Sequence, residues 1–139
     1  GQTETGAWAF GSTATAASQY VPVSFNIRLE EAPEVHLIKA NGKEVVPNPC
    51  KEKDPETEEC IPGSDEVEQP DCPGSSAEPA AEPGVLCLYV DTGGQLPGES
   101  KLSFANPEQT RAFTTGAVVA MQVSGTNARA HGTWAVTAP

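Results

Sequence analysis

Alternation of apolar and polar side chains is the clearest pattern in this chain. Between residues 21 and 29 every second side chain is apolar, namely Val21, Val23, Phe25, Ile27 and Leu29. A period of two is typical of a strand with one buried face. The pattern therefore predicts a strand over residues 21–29.

Three further strands follow from local signals. Residues 35–40 and 43–46 flank Asn41-Gly42, a pair that accepts the positive φ angles of a two-residue type I′ turn, so they predict a β-hairpin. The run VLCLYV at residues 85–90 is apolar throughout. A continuous apolar run is typical of a strand covered on both faces.

Residues 5–12, 102–104, 111–123 and 130–137 complete a set of about eight predicted strands. No segment combines a 3.6-residue apolar period with helix caps. The expected fold is all-β, an antiparallel two-sheet sandwich that resembles a jelly roll. The length of 139 residues fits a single domain over residues 1–139.

The first and last predicted strands share a short sequence pattern. GAWAF at residues 6–10 is echoed by GTWAV at residues 132–136. We hypothesise that these two strands lie side by side, with Trp8 and Trp134 in one core and both termini at the same end. The alternative is that each Trp anchors an ordinary edge strand. Phe25 is the third predicted core aromatic residue.

The net charge of −11 is concentrated in one segment. Eleven of the 19 acidic residues lie between Lys51 and Glu82, with only two of the eight basic ones. Residues 47–83 also hold eight of the 13 prolines and few apolar side chains. We predict an acidic, proline-rich insertion that neither forms a full ladder nor orders itself by burial. Its charge disfavours nucleic acids and anionic lipids as partners.

Four cysteines, Cys50, Cys60, Cys72 and Cys87, lie in or beside this insertion. Their spacings of ten, twelve and fifteen lack the short knuckles of zinc sites, so disulfides are favoured over a metal site. Three pairings are open, and the local one joins Cys50 to Cys60 and Cys72 to Cys87. Disulfides predict an oxidising, extracytoplasmic location, either secreted or on the cell surface.

Candidate catalytic motifs are weak. Asp91-Thr92-Gly93 after an apolar strand is similar to an aspartic protease loop, but such a site needs two carboxylates, hence a dimer, and a capped turn is favoured. His36 and His131 lie in no hydrolase signature. The carboxylates between residues 54 and 59 lack the spacing of a calcium loop. We therefore predict a non-enzymatic protein with no catalytic residues, cofactor or metal.

Several segments, taken in their order, resemble the C-terminal head domain of bacterial collagen-like proteins, especially those of actinobacteria. They are GQTETGAW at residues 1–8, VSF at 23–25 with APEVHLI at 32–38, CPG at 72–74 with PGVLCLY at 83–89, and GTWAVTAP at 132–139. The part of the insertion with Cys50 and Cys60 departs from that pattern. No collagen repeat lies in this chain.

The resemblance implies an extracellular structural head that follows a collagen-like stalk and forms a homotrimer, because three collagen strands must be aligned before they wind. The alternative is a lectin-like or receptor-binding adhesion module with an extracellular glycan or protein ligand. Exposed Tyr20, Tyr89 or Trp8 on a concave sheet would indicate that role. Membrane insertion is not expected, because no apolar run approaches the roughly 18 residues of a span.

Overall fold

A computed structural model of the protein describes residues 1–11, 16–91, 102–104, 110–124 and 129–139. In these residues it contains ten strands and no helix, which confirms the all-β class. The strands are β1 (Thr3–Gly11), β2 (Ala16–Ser24), β3 (Glu34–Ile38), β4 (Glu44–Lys53), β5 (Cys60–Val67), β6 (Val85–Val90), β7 (Leu102–Phe104), β8 (Arg111–Phe113), β9 (Gly116–Ser124) and β10 (Arg129–Thr137).

Six strands form one sheet, in the order β1-β10-β6-β3-β4-β5. β1 pairs antiparallel with β10 over nine residues, from Thr3 opposite Thr137 to Gly11 opposite Arg129. The hypothesis that the first and last strands are neighbours is therefore confirmed. β3 and β6 run parallel, so this sheet is mixed, whereas the sequence predicted an antiparallel one.

The second sheet is centred on β9. Because β2 pairs with β9 along its whole length, the short strands β7 and β8 must pair with its other edge. The strand predicted over residues 111–123 is interrupted at Thr114 and Thr115, whose carbonyls accept hydrogen bonds from Leu29 and Phe25. This turn and the unpredicted β5 make ten strands rather than eight, and the jelly-roll topology is not confirmed.

The two sheets share one hydrophobic cluster, an arrangement compatible with a β sandwich. Trp8 and Trp134 both belong to it, with exposed fractions of 4% and 6%. The ring of Phe25 packs on Trp134 with centroids 5.8 Å apart. Val119 and Met121 contribute from β9. The three predicted core aromatics thus lie in the core, with the two tryptophans on neighbouring strands.

The strand predicted over residues 21–29 ends at Ser24, although burial still alternates as far as Leu29. Beyond Ser24 the backbone bonds to other groups. The N–H groups of Asn26 and Ile27 donate to the Glu4 carboxylate at 2.8–3.0 Å. The apolar period therefore reports which side chains face the core, even where the ladder has stopped.

Residues 47–83 were expected not to form a full ladder, and their first part forms a strand pair that is interrupted by a bulge. β4 continues through Pro47 and Pro49 to Lys53 and pairs with β5. The prolines are tolerated because β4 pairs with β3 only at Glu44, and β5 is an edge strand. A bulge between Asn48 and Glu52 absorbs the remaining irregularity. We call β4, β5 and their connection the edge hairpin.

Residues 68–84, which we call the strap, cross the outer face of the six-stranded sheet. Beneath them, Val85, Cys87 and Tyr89 of β6 form a second buried cluster with Ile38 and Cys72. The alternate residues of β6 point into the shared core. Every residue of β6 is therefore buried, and the prediction of a strand covered on both faces is confirmed.

Candidate functional site

The cysteines fix both halves of the insertion. Disulfides join Cys50 to Cys60 across the edge hairpin and Cys72 of the strap to Cys87 of β6. These are the two local pairings, and no free cysteine is present. Cys72 and Cys87 are 5% and 0% exposed, whereas Cys50 and Cys60 lie at the surface. The first bridge closes an exposed hairpin, and the second anchors a buried contact.

Hydrogen bonds attach the strap along its length. The Gly74 N–H donates to the Tyr89 hydroxyl at 3.0 Å, and that hydroxyl donates to the Ala80 carbonyl. On β10, Thr133 and Thr137 donate to the carbonyls of Ser76 and Ala81, each at 2.8 Å. The outward side of the six-stranded sheet is thus occupied by the protein's own chain over β6 and β10.

A buried polar cluster lies where the strap meets the edge hairpin. His36 is only 6% exposed. Its Nδ1 lies 2.7 Å from Oε1 of Glu44, whose Oε2 accepts from Gln69 at 2.7 Å. His36 Nε2 has no hydrogen-bond partner in the described chain, because Glu34, 3.5 Å away, is poorly oriented. The burial of this cluster keeps substrates away from His36. Its hydrogen bonds join β3, β4 and the strap.

The edge hairpin binds part of its own charge. Glu66 accepts from Lys39 at 3.0 Å and from Asn41 at 3.2 Å, and the Lys39 hydrogen bond is the main reason that the pKa of Glu66 is lowered. Asp65 contacts Lys51 and Asn48 in the same way, and the Lys51 hydrogen bond lowers the pKa of Asp65. These carboxylates are held as anions by one lysine within the hairpin, Lys51, and one that precedes it, Lys39.

The candidate catalytic groups do not assemble into a recognisable constellation. Asp91 Oδ2 lies 3.7 Å from Nε2 of His131, and both side chains are nearly half exposed. Thr92 and Gly93 of the protease-like motif lie outside the described residues. In the described part of the chain, the side-chain contacts of the two histidines are made with carboxylates and with the Gln69 amide. No group of three or more His, Cys, Asp or Glu is arranged there to hold a metal ion.

The outward face of the four-stranded sheet exposes several apolar side chains in its described part. We call it the open face and define it by Tyr20, Pro22, Arg111, Phe113 and Val118. Tyr20, Phe113 and Val118 are 56%, 53% and 36% exposed. Pro22, Val118 and Arg111 lie in one row across β2, β9 and β8, and Phe113 lies in the next row. Arg111 is the only charged residue among them, so the surface is mainly apolar.

The aromatic residues named for a ligand-binding role are separated by burial. Tyr89 and Trp8 are 1% and 4% exposed, because one lies under the strap and the other in the shared core. Tyr20 alone of the three is available at the surface. The open face was not predicted from the sequence. Its signals there were Pro22, an exposed position of the alternating segment, and Tyr20, which precedes that segment.

Comparison with known proteins adds no assignment to this geometry. Neither a protein-family model, nor a curated protein, nor a solved structure matches the chain. A search of the described residues finds no helix with the length and apolar character required to cross a membrane.

Proposed function

We propose that the protein is a non-enzymatic, extracellular head domain that forms a homotrimer through its open face and follows a collagen-like stalk. One observation carries the proposal, which is the difference between the two outer faces of the fold. The six-stranded sheet is covered by a disulfide-anchored strap, whereas the four-stranded sheet presents Tyr20, Phe113 and Val118 to solvent. Exposed apolar patches of this kind mark association sites.

Charge distribution supports self-association at that face. The acidic residues of the edge hairpin belong to the other sheet, at the edge opposite β1. Copies that meet through the open face therefore bring together a surface that does not carry these carboxylates, which lowers the electrostatic cost of association.

The neighbouring termini support attachment to a stalk. Ala138 N–H donates to the Gln2 carbonyl at 2.9 Å, and Thr3 and Thr137 share a hydrogen bond of 2.7 Å. In a three-fold assembly of such heads, the three equivalent ends lie symmetrically about one axis. Three collagen-like strands leaving those ends would begin in a common register, which is the condition for winding a triple helix.

The two disulfides support an oxidising, extracytoplasmic location, because such bridges persist mainly in secreted and cell-surface proteins. A second candidate role, binding of an extracellular glycan or protein, is favoured by the exposed Tyr20 with Phe113 on the same face. Aromatic rings on an open sheet supply stacking surface for sugars or side chains.

Light scattering of the purified chain tests the trimer. We expect the parent chain to form species whose mass at micromolar concentration is a multiple of three chains of 14.5 kDa each. Val118→Arg should abolish the three-fold species, because an unpaired charge would be buried at the contact. Ile61→Arg is the matched control, since Ile61 is 44% exposed but lies on β5. A monomeric parent chain, or a Val118→Arg variant that stays trimeric, would exclude this function.

A further inference from the structure

β1 forms one edge of the six-stranded sheet and pairs only with β10 among the described strands. The hydrogen bond from Ala138 N–H to the Gln2 carbonyl identifies residues 2 and 138 as a bonded pair. Such pairs alternate along an antiparallel ladder. The even-numbered residues of β1 therefore bond to β10, and its odd-numbered residues, from Thr3 to Gly11, direct their N–H and C=O groups away from it.

The two edges of this sheet differ in their protection against pairing. β5 carries Pro62, and its hairpin has a bulge and charged side chains, which are devices that block strand addition. β1 contains no proline, no lysine and no bulge over nine consecutive pairs. Its one charged residue, Glu4, is bound to Asn26 and Ile27. β1 thus has the properties of an edge that accepts another strand.

We infer that β1 pairs with β1 of a second copy of this chain, antiparallel and centred on Ala7. The edge-directed residues are symmetric about Ala7, so Ala7 meets Ala7 of the partner copy and Thr5 meets Ala9. These side chains are small and exposed, and they allow close approach. Glu4 comes opposite Phe10, so no like charges face each other. The pairing gives up to about ten backbone hydrogen bonds across a two-fold axis.

The position of the acidic hairpin favours β1 over β5 as the edge at which a second copy pairs. β5 is five strands from β1, or about 24 Å at the usual strand spacing. Joining two copies through β1 gives one continuous twelve-stranded sheet with the hairpins at its opposite ends, more than about 50 Å apart. That separation exceeds the Debye length of about 8 Å in physiological salt. Pairing through β5 would instead bring the two acidic hairpins together.

This contact is separate from the trimer contact, because it uses a strand edge of the other sheet. It adds a two-fold association between heads, so species with even numbers of chains should form whether or not the trimer exists. Failure of one contact therefore does not imply failure of the other, and each has its own variant.

Ala7→Pro tests the contact in the intact chain. Proline removes an N–H that points to the free edge and leaves the β1–β10 ladder complete. Sedimentation velocity should show that the dissociation constant of the even-numbered species rises about tenfold or more. The matched control is Ala7→Val, which keeps the N–H and should associate as the parent chain does. Ala7→Lys, a charge on the edge, should dissociate the pair if Ala7→Pro fails to fold.

Amide hydrogen exchange gives a readout that depends on the register. As protein concentration rises, the amides of Thr5, Ala7 and Ala9 should become protected, whereas Gly6 and Trp8 should be protected at every concentration through β10. The inference is overturned if no even-numbered species forms, if foldable Ala7→Pro or Ala7→Lys variants associate as before, or if only an added peptide of another sequence protects these amides.

Discussion

Replacing Tyr89 with Phe tests whether the strap is held by directed hydrogen bonds or by its disulfide alone. The Tyr89 side chain is 1% exposed. Its hydroxyl accepts from the Gly74 N–H and donates to the Ala80 carbonyl. Phe keeps the ring and its packing against the second buried cluster, so the substitution removes two hydrogen bonds and little else.

The expected loss follows from those two bonds. Each contributes about 0.5–1.5 kcal/mol to the free energy of unfolding, so the pair contributes about 1–3 kcal/mol. Gly74 and Ala80 are partly exposed, and water can reach the freed groups in part. We therefore expect a loss of about 2 kcal/mol.

The pH dependence has a definite sign. Burial raises the pKa of Tyr89 above its ordinary value of 10.0, and the hydrogen bonds with Gly74 and Ala80 offset this only in part. The native state therefore favours the neutral phenol. Its contribution to stability is complete below pH 10 and is lost as pH rises through the raised pKa. Tyr89→Phe should remove this alkaline loss.

Urea unfolding of the oxidised protein measures both effects, at pH 7 and in a series above pH 10. Tyr20→Phe is the matched control, because Tyr20 is the only other tyrosine of the chain and is 56% exposed. It should change stability by less than about 0.5 kcal/mol. Equal stability of Tyr89→Phe and the parent chain, or unchanged exchange of the Gly74 amide, would show that the strap is held without the Tyr89 hydroxyl.

Three other substitutions probe separate parts of the fold. Glu4→Gln should lower the free energy of unfolding by about 1 kcal/mol at pH 7. Burial acts to raise the pKa of Glu4, but hydrogen bonds from Ile27 and Asn26 lower it overall. The difference in urea stability should therefore vanish as pH falls through that lowered pKa, and a difference that stays constant with pH would contradict this. Replacing Cys72 and Cys87 by Ala should lower the free energy of unfolding by about 3 kcal/mol for a separation of 15 residues, and it should speed amide exchange in the strap. Ala at Cys50 and Cys60 is the control and should affect only the edge hairpin. Unchanged amide exchange in the strap would show that Cys72–Cys87 does not anchor it. Gly132→Ala should lower the free energy of unfolding by more than about 2 kcal/mol, because its Cβ would lie 1.7 Å from the Tyr89 carbonyl oxygen. Gly11→Ala is the control and should be neutral, because its Cβ would meet no described atom within 4 Å. Equal melting temperatures of the two variants would show that β10 can move away from β6 at no cost.

Local patterns were sufficient to predict the strands that are buried. The apolar run of β6 indicated two covered faces, and the shared Trp pattern of β1 and β10 indicated neighbouring strands. Both predictions are confirmed because the pattern of apolar side chains along a strand directly reflects which of its faces are buried. The same reasoning located the alternating side chains of residues 21–29 but not the end of the ladder, since the bonds of Asn26 and Ile27 are made to Glu4, over 20 residues away.

The edge hairpin and the polar cluster could not be predicted because their order comes from distant contacts. Prolines within β4 and β5 argue against strands in general, and they are tolerated only because β5 has a free edge and β4 has one extensive partner. Glu44 and Gln69 have no local sign of burial. They meet His36 only after the parallel pairing of β3 with β6 has placed the strap above them.

The two parts of the insertion, the edge hairpin and the strap, have different structural roles although their composition is similar. Its acidic residues are divided between the edge hairpin, where lysines and side-chain amides hold part of the charge, and the strap, which carries four carboxylates. The strap instead covers an apolar sheet face, using one disulfide and backbone carbonyls rather than charge. One outer face is thereby closed and one edge made repulsive. The surfaces left for association are the open face and the β1 edge, and these are the parts with the fewest charged side chains.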